Sequence, residues 1–161
     1  MFERVRKAAI TAIQAQEDLL VAWRDFNSQN ETLPASDADA GLLHQLVWRK
    51  IYPLPAFTAL VRMDRDAALT TLLRRYLGSG VNPDSGFGGF VFDLSSMLAD
   101  LVEVGGEDEL IRLITHPDFN RAMLTEPRFI ESVCFAFDME LDQFPGWLSK
   151  VKKRNPDIPH P

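Results

Sequence analysis

The chain has 161 residues, 46% of them hydrophobic and 25% charged, which is typical of a globular protein, and we expect a single domain over residues 1–161. Charged residues interrupt its apolar runs well before the roughly 20 residues needed to cross a bilayer, so no membrane association is expected. The net charge of −6 is concentrated, because residues 81–145 carry 13 acidic and 3 basic side chains, a net of −10. Such a field repels nucleic acid and attracts a basic partner.

The first half of the chain is dominated by helical periodicity. The first helix is the clearest, because apolar residues from Phe2 to Phe26 recur at helical spacing. Residues 27–38 are polar turn formers and predict a loop. Ser36 with Asp39 predicts the start of a second helix, which Pro53 ends.

Two helical hairpins are predicted next. Residues 55–63 form a short helix, and Asp64 is the expected N-cap of the helix that follows. Gly78 is expected to end that helix in the left-handed conformation. Asp93 should cap the next helix.

The last part of the chain predicts shorter helices. Gly105 and Gly106 separate the helix after Asp93 from a partner helix over residues 107–116. A turn of helix follows to Leu124, then a helix from Pro127 to Met139, then a last helix opened by Phe144. No stretch alternates between apolar and polar residues for long enough to predict a strand. The expected fold is all-α, with about seven to eight helices in stacked hairpins.

An internal repeat supports the hairpin interpretation. Residues 60–75 and 101–116 align without a gap, and Leu60 matches Leu101 as Leu69 matches Leu110. Both segments read as a helix, a polar turn and a second helix. The spacing resembles the repeat unit of HEAT and armadillo proteins. This resemblance implies a stack of hairpins.

A glycine-rich stretch, GSGVNPDSGFGGF over residues 78–90, joins the two hairpins. It lacks the lysine and the preceding strand of a phosphate-binding P-loop, so we interpret it as a linker. Phe87, Phe90 and Phe92 are expected to fold onto the core or, if exposed, to anchor a partner.

The residues that could support catalysis or metal binding are few. His44, His116 and His160 are not spaced as metal ligands, and Cys134, the single cysteine, lies on an apolar helix face. Residues 138–149 lack the glycine and the final glutamate of a calcium-binding loop. We therefore expect no cofactor, no metal and no enzymatic activity.

One cysteine also excludes an internal disulfide and favours a cytoplasmic location. The first twenty residues lack the continuous apolar stretch of a secretory signal, because Thr11, Gln14 and Gln16 interrupt it. The basic tail, Lys150 to Arg154, complements a helix C-terminus and does not by itself predict nucleic-acid binding.

An acidic cluster is the remaining candidate site. Some of its members favour helix N-termini, but others lie late in a helix or after one. We interpret the cluster as a surface that binds a basic protein. Its members are Asp100, Glu103, Glu107, Asp108, Glu109, Asp138, Glu140 and Asp142.

The overall character of the chain, small, acidic, helical and without catalytic motifs, resembles that of bacterial immunity proteins, including those of contact-dependent inhibition systems. The resemblance implies a protein that neutralises a basic toxin, such as a nuclease, by steric and electrostatic occlusion, and we expect the chain to be a monomer. Trp147 or the glycine-loop phenylalanines could add apolar anchors. Two other classes stay open: a HEAT-like adaptor that binds a peptide or helix, and a small helical enzyme or regulatory subunit.

Overall fold

Eight α-helices make up most of the described chain in a computed structural model, which describes residues 2–29, 37–81 and 91–156. They are α1 (Phe2–Gln29), α2 (Asp37–Arg49), α3 (Pro53–Met63), α4 (Arg65–Leu72), α5 (Val91–Gly105), α6 (Glu107–Thr115), α7 (Pro127–Ala136) and α8 (Phe144–Arg154). Two 3-10 segments, Arg121–Thr125 and Leu141–Gln143, precede α7 and α8. The described residues contain no strand beyond one isolated bridge, so the predicted all-α fold is confirmed.

The chain divides into two compact units, Met1–Leu33 and Pro34–Pro161. Helix α1 belongs to the first unit. The other seven helices belong to the second, which we call the helical body.

Helix α5 is the centre of the helical body. It packs against α3 on one side and against α7 on the other, while α2 packs on α3 and α4. Leu94, Met97, Leu98 and Leu101 on α5 have no exposed surface. These four residues lie on one face of the helix, which is the apolar stripe that an amphipathic helix packs against the core.

Two helical hairpins, α3–α4 and α5–α6, stack side by side as the repeat predicts. Helices α3 and α5, which match in the repeat, pack together. Each turn is a single residue: Asp64 caps α4, and Gly106, at φ 75°, precedes α6. Asp64 accepts from the backbone N–H of Ala67 at 3.0 Å, which confirms its predicted role as an N-cap.

Helix α4 ends differently from the prediction. It widens into a π-helical turn over Leu73–Leu77, and Gly78 then has an extended backbone with φ −79°. Gly78 forms an antiparallel bridge with Phe119, and a Cβ there would overlap the carbonyl oxygen of Leu73. The left-handed conformation predicted for Gly78 is therefore wrong. The glycine is needed for close approach of two backbone segments.

Some predicted helix boundaries shift. Pro53 begins α3 instead of ending α2, and Asp93 lies in the first turn of α5. The predicted loop begins later, because α1 extends to Gln29. The cap at Ser36 and most of the glycine-rich stretch, with Phe87 and Phe90, lie outside the described residues, as does the side chain of Phe92.

Candidate functional site

The carboxylate of Glu109 lies inside the protein. The residue is 5% exposed, and Arg112 donates from Nη1 to both carboxylate oxygens at 2.9 Å. Arg65, in the first turn of α4, lies 3.5 Å away, and Arg112 also pairs with Asp66. Glycine at position 105 leaves room for Glu109, because a Cβ there would overlap its side chain. These ion pairs join the two hairpins, and we leave Glu109 out of any docking surface.

Asp100 is half-buried on the side of α5 that contacts α3. Thr58 Oγ1 lies 2.5 Å from Asp100 Oδ2 and 3.0 Å from the carbonyl oxygen of Leu54. A hydroxyl has one hydrogen and cannot donate to both oxygens. The Thr58 hydroxyl therefore donates to one of the two oxygens at a time, and its contact with the Asp100 carboxylate is the shorter one. Burial raises the pKa of Asp100, against the lowering effect of the Thr58 hydrogen bond, so this acid is a poor candidate for a docking charge.

Trp147 on α8 connects two acidic segments that are far apart in the sequence. Its indole N–H donates to Oε1 of Glu107, in the first turn of α6, at 2.7 Å. Its ring lies 5.5 Å from the ring of Phe137, at the end of α7, and 5.6 Å from that of Phe144, centroid to centroid. Asp138 follows Phe137 directly. The acids that begin α6 and those that follow α7 therefore lie at the same end of the helical body.

Glu107 itself has structural partners. Besides the indole of Trp147, it has Arg154 Nη1 at 3.6 Å from its Oε2. Trp147 is half-buried between these groups, so it is packed inward and not presented as the exposed anchor that the sequence suggested. Glu107 thus holds α8 in place.

Five of the predicted acids remain exposed at this end. We call them the acidic end: Glu103, Asp108, Asp138, Glu140 and Asp142.

The backbone fixes two members of the acidic end. Asp138 has φ 49°, in the left-handed region that Asp and Asn tolerate better than most residues. Glu140 caps the 3-10 segment Leu141–Gln143 in a capping box with Gln143. Both side chains therefore project from a defined backbone.

Apolar side chains lie among these acids. Val104, next to Glu103, is 44% exposed, and Leu141, between two acids of the acidic end, is 57% exposed. Phe135, whose carbonyl accepts from the backbone N–H of Asp138 at 3.3 Å, is 64% exposed. Exposed apolar groups surrounded by polar ones are the pattern of a protein-binding surface.

A polar cleft of about 510 Å³ lies elsewhere on the helical body and is lined in part by Arg74, Ser79, His116 and Asp118. His116 Nδ1 accepts from the backbone N–H of Asp118 at 3.1 Å, so a neutral imidazole carries its proton on Nε2. In a serine-hydrolase relay the carboxylate instead accepts from the Nδ1 proton. The cleft therefore lacks the arrangement of that relay.

Metal sites and membrane spans were the next features sought in the described residues. No group of three His, Cys, Asp or Glu side chains there could hold a metal ion. None of the helices in those ranges is both long and apolar enough to span a membrane. Cys134 is buried as predicted, and burial raises the pKa of its thiol.

The partners of the predicted acids were missed at the sequence level. The pair Glu109 and Arg112 could have been read from its spacing of three residues on one helix. Thr58 and Arg154 contact their acids across 42 and 47 positions of the chain, and no local pattern indicates them.

Comparisons of the chain with protein-family models, with curated proteins and with solved structures give no match. The resemblances to HEAT repeats and to immunity proteins remain predictions.

Proposed function

We propose that this chain is a non-catalytic binding protein whose acidic end docks a basic protein. Its specific role in this proposal is that of an immunity protein, which covers the active site of a cognate toxin of basic nuclease type. It would act in the cytoplasm, where the thiol of Cys134 stays reduced.

The observation that carries the proposal is the position of Trp147. Its contacts with Glu107 and Phe137 bring the acids of α6 and the acids after α7 to one end of the helical body. The segment of highest negative charge in the sequence therefore presents several carboxylates together, which is what a cationic partner requires.

The mechanism follows from the chemistry of nucleases. A nuclease holds phosphate with lysine and arginine, and the exposed carboxylates of the acidic end would pair with those groups. Opposite charges increase the association rate, and the covered site excludes nucleic acid. Leu141 and Val104 would bury apolar surface and slow dissociation.

A pair of matched triple variants tests the proposal. Asp108→Asn, Asp138→Asn and Asp142→Asn together remove three charges from the acidic end. Asp118→Asn, Glu126→Gln and Glu131→Gln remove three charges elsewhere on the helical body. Each chain is immobilised and used to capture proteins from lysate of the source organism at low and at high salt.

We expect the wild type and the control variant to retain one basic protein at low salt. The acidic-end variant should lose it. Adding the wild-type chain to the purified partner should then inhibit its nuclease activity. Equal retention of the partner by both triple variants would show that the acidic end does not bind it. A captured partner without toxic activity would contradict the immunity role.

A further inference from the structure

The polar cleft of about 510 Å³ on the helical body is large enough for a small molecule, since ligand sites in proteins span roughly 300 to 1,000 Å³. Residues at and after the end of α4 form one wall, and residues after α6 form the other. The acidic end includes Asp108, in the first turn of α6, whereas His116 at the cleft follows the last residue of that helix. The 9 residues of α6 rise about 13 Å, so the two sites are separate.

Backbone hydrogen bonds hold the two walls of the cleft together. The N–H of Ser79 donates to the carbonyl oxygen of Asp118 at 2.9 Å. The N–H of Asn120 donates to the carbonyl oxygen of Leu77 at 2.8 Å. His116 Nδ1 accepts from the backbone N–H of Asp118, and this bond orients the imidazole. A site with fixed walls loses little conformational entropy when a ligand binds.

The cleft contains one full charge of each sign. Arg74 and Asp118 both line it, and both side chains are exposed. Within the described ranges no carboxylate pairs with Arg74, whereas three other arginines of the helical body each have one. The pKa of His44 is lowered, first by burial and then by the positive charge of Arg74. The Arg74 guanidinium can therefore bind an anionic group of a ligand, and the Asp118 carboxylate a cationic one.

The cleft also offers hydrogen-bonding groups of both kinds. Because His116 Nδ1 accepts, the Nε2–H of the neutral imidazole is left as a donor. Thr70 donates its hydroxyl hydrogen to the carbonyl oxygen of Asp66 at 2.9 Å, so its oxygen is left as an acceptor. Helices α4 and α6 both end at the cleft, α4 through its π-helical turn. The partial negative charge of a helix C-terminus favours a cation.

We propose that this cleft binds a small zwitterion with a carboxylate and an ammonium group, which is the chemistry of an amino acid or a short peptide. Arg74 pairs with the carboxylate, which a planar guanidinium holds through two parallel hydrogen bonds, and His116 donates to the same group. Asp118 pairs with the ammonium group. A simple anion is repelled by Asp118 and a simple cation by Arg74, so the lining selects a ligand with both charges. This inference goes beyond the proposed function and does not depend on it.

Titration of the isotope-labelled full-length chain with glycine peptides tests the proposal. The probes are glycine, diglycine and triglycine, which carry the same two charged groups at increasing separation. For the probe that binds best, the N-acetylated form lacks the ammonium group and the C-terminal amide lacks the carboxylate. The amide NMR shifts of Ser79, Gly80 and Asp118 report on the cleft, and those of Asp108 and Asp138 report on the acidic end.

We expect saturable shift changes at the cleft, and none at the acidic end, with at least one of the three probes. The Kd should be on the order of 1 mM, because so small a ligand has few atoms with which to bind. Each cap should increase the Kd by roughly tenfold or more. Strongest binding of glycine would identify a site for free amino acids, and strongest binding of the longer probes a site for peptides. Equal binding of capped and uncapped forms would overturn the proposal, as would the absence of saturable shifts with all three probes.

Single-charge variants identify which residue binds which group. Arg74→Gln should increase the Kd of the best probe by roughly tenfold, and this variant should no longer distinguish the probe from its amide. Asp118→Asn should do the same and should no longer distinguish the probe from its acetylated form. Arg62→Gln and Glu131→Gln, at exposed residues that do not line the cleft, are the matched controls and should keep the wild-type Kd. An unchanged Kd in the Arg74 and Asp118 variants would contradict the proposal.

Discussion

The indole N–H of Trp147 donates a 2.7 Å hydrogen bond to the carboxylate of Glu107, and this contact ties α8 to the first turn of α6. Hydrogen bonds to a charged acceptor are among the stronger ones in proteins. Because Glu107 is only partly buried, we expect Trp147→Phe to lower the free energy of unfolding by about 1 kcal/mol. The phenyl ring keeps much of the packing against Phe137 and Phe144.

A double-mutant cycle isolates this contact. Trp147→Phe and Glu107→Ala should be coupled by about 1 kcal/mol in urea unfolding. The control cycle pairs Trp147→Phe with Asp108→Ala, the next residue in the same helical turn, and should show coupling near zero. Equal coupling in the two cycles would mean that the hydrogen bond adds no specific stability.

Asp100 predicts a pH dependence of stability. Burial raises the pKa of its carboxyl in the folded state above its ordinary value of 3.8, so the folded protein holds this proton over a pH range in which the unfolded chain has lost it. The contribution of Asp100 to the free energy of unfolding is therefore fully present below pH 3.8 and is lost as the pH rises through the folded-state pKa.

Asp100→Asn removes this titration while keeping a neutral group beside Thr58. In denaturant unfolding from pH 3 to pH 7, the stability of the wild type should fall relative to that of the variant as the pH rises. A difference between the two that is constant across this range would show that Asp100 titrates normally.

We predict that a larger side chain at Gly78 destabilises the protein for steric reasons. A Cβ at this position would overlap the carbonyl oxygen of Leu73, and the neighbouring backbone is fixed by the bond from Ser79 N–H to Asp118 O at 2.9 Å. Gly78→Ala should therefore destabilise the helical body by about 1–3 kcal/mol. Gly80→Ala, which meets nothing within 4 Å, should change the thermal midpoint little. Similar losses in both variants would show that overlap with the Leu73 carbonyl is not the cause.

The helices were predictable because their signals are local. Apolar spacing, the side chain of Asp64 and the pair Gly105 and Gly106 each act within a few residues, and the structure places helix boundaries at these positions. The conformation of Gly78 was not predictable, because it is set by Phe119, which lies far along the chain.

The candidate site was predictable only in part. Composition located the excess of acids in the second half, but it could not separate surface carboxylates from structural ones. Glu109 contacts Arg65, and Asp100 contacts Thr58, through contacts that only the packing of the hairpins creates, whereas the pair Glu109 and Arg112 is local to α6. The meeting of the two acidic segments likewise depends on the position of Trp147.

Leu141 predicts an apolar contribution to partner binding. It is 57% exposed within the acidic end, and truncating a side chain that becomes buried in an interface weakens binding. We expect Leu141→Ala to increase the Kd for the basic partner by roughly tenfold, which is about 1.4 kcal/mol. Leu42→Ala, at a leucine that is 60% exposed on α2, is the matched control and should leave the Kd unchanged. Calorimetric titration with the captured partner measures both values, and a larger effect at Leu42 would place the docking surface elsewhere.

Carboxyl footprinting of the chain with and without its basic partner tests the docking surface most directly. In this measurement a carbodiimide couples an amine to accessible carboxylates, and mass spectrometry quantifies the labelling of each residue. We predict that the partner protects Asp108, Asp138 and Asp142 from labelling. Asp118 and Glu131 should be labelled as in the free chain. Unchanged labelling of the first three residues, with protection elsewhere, would contradict it.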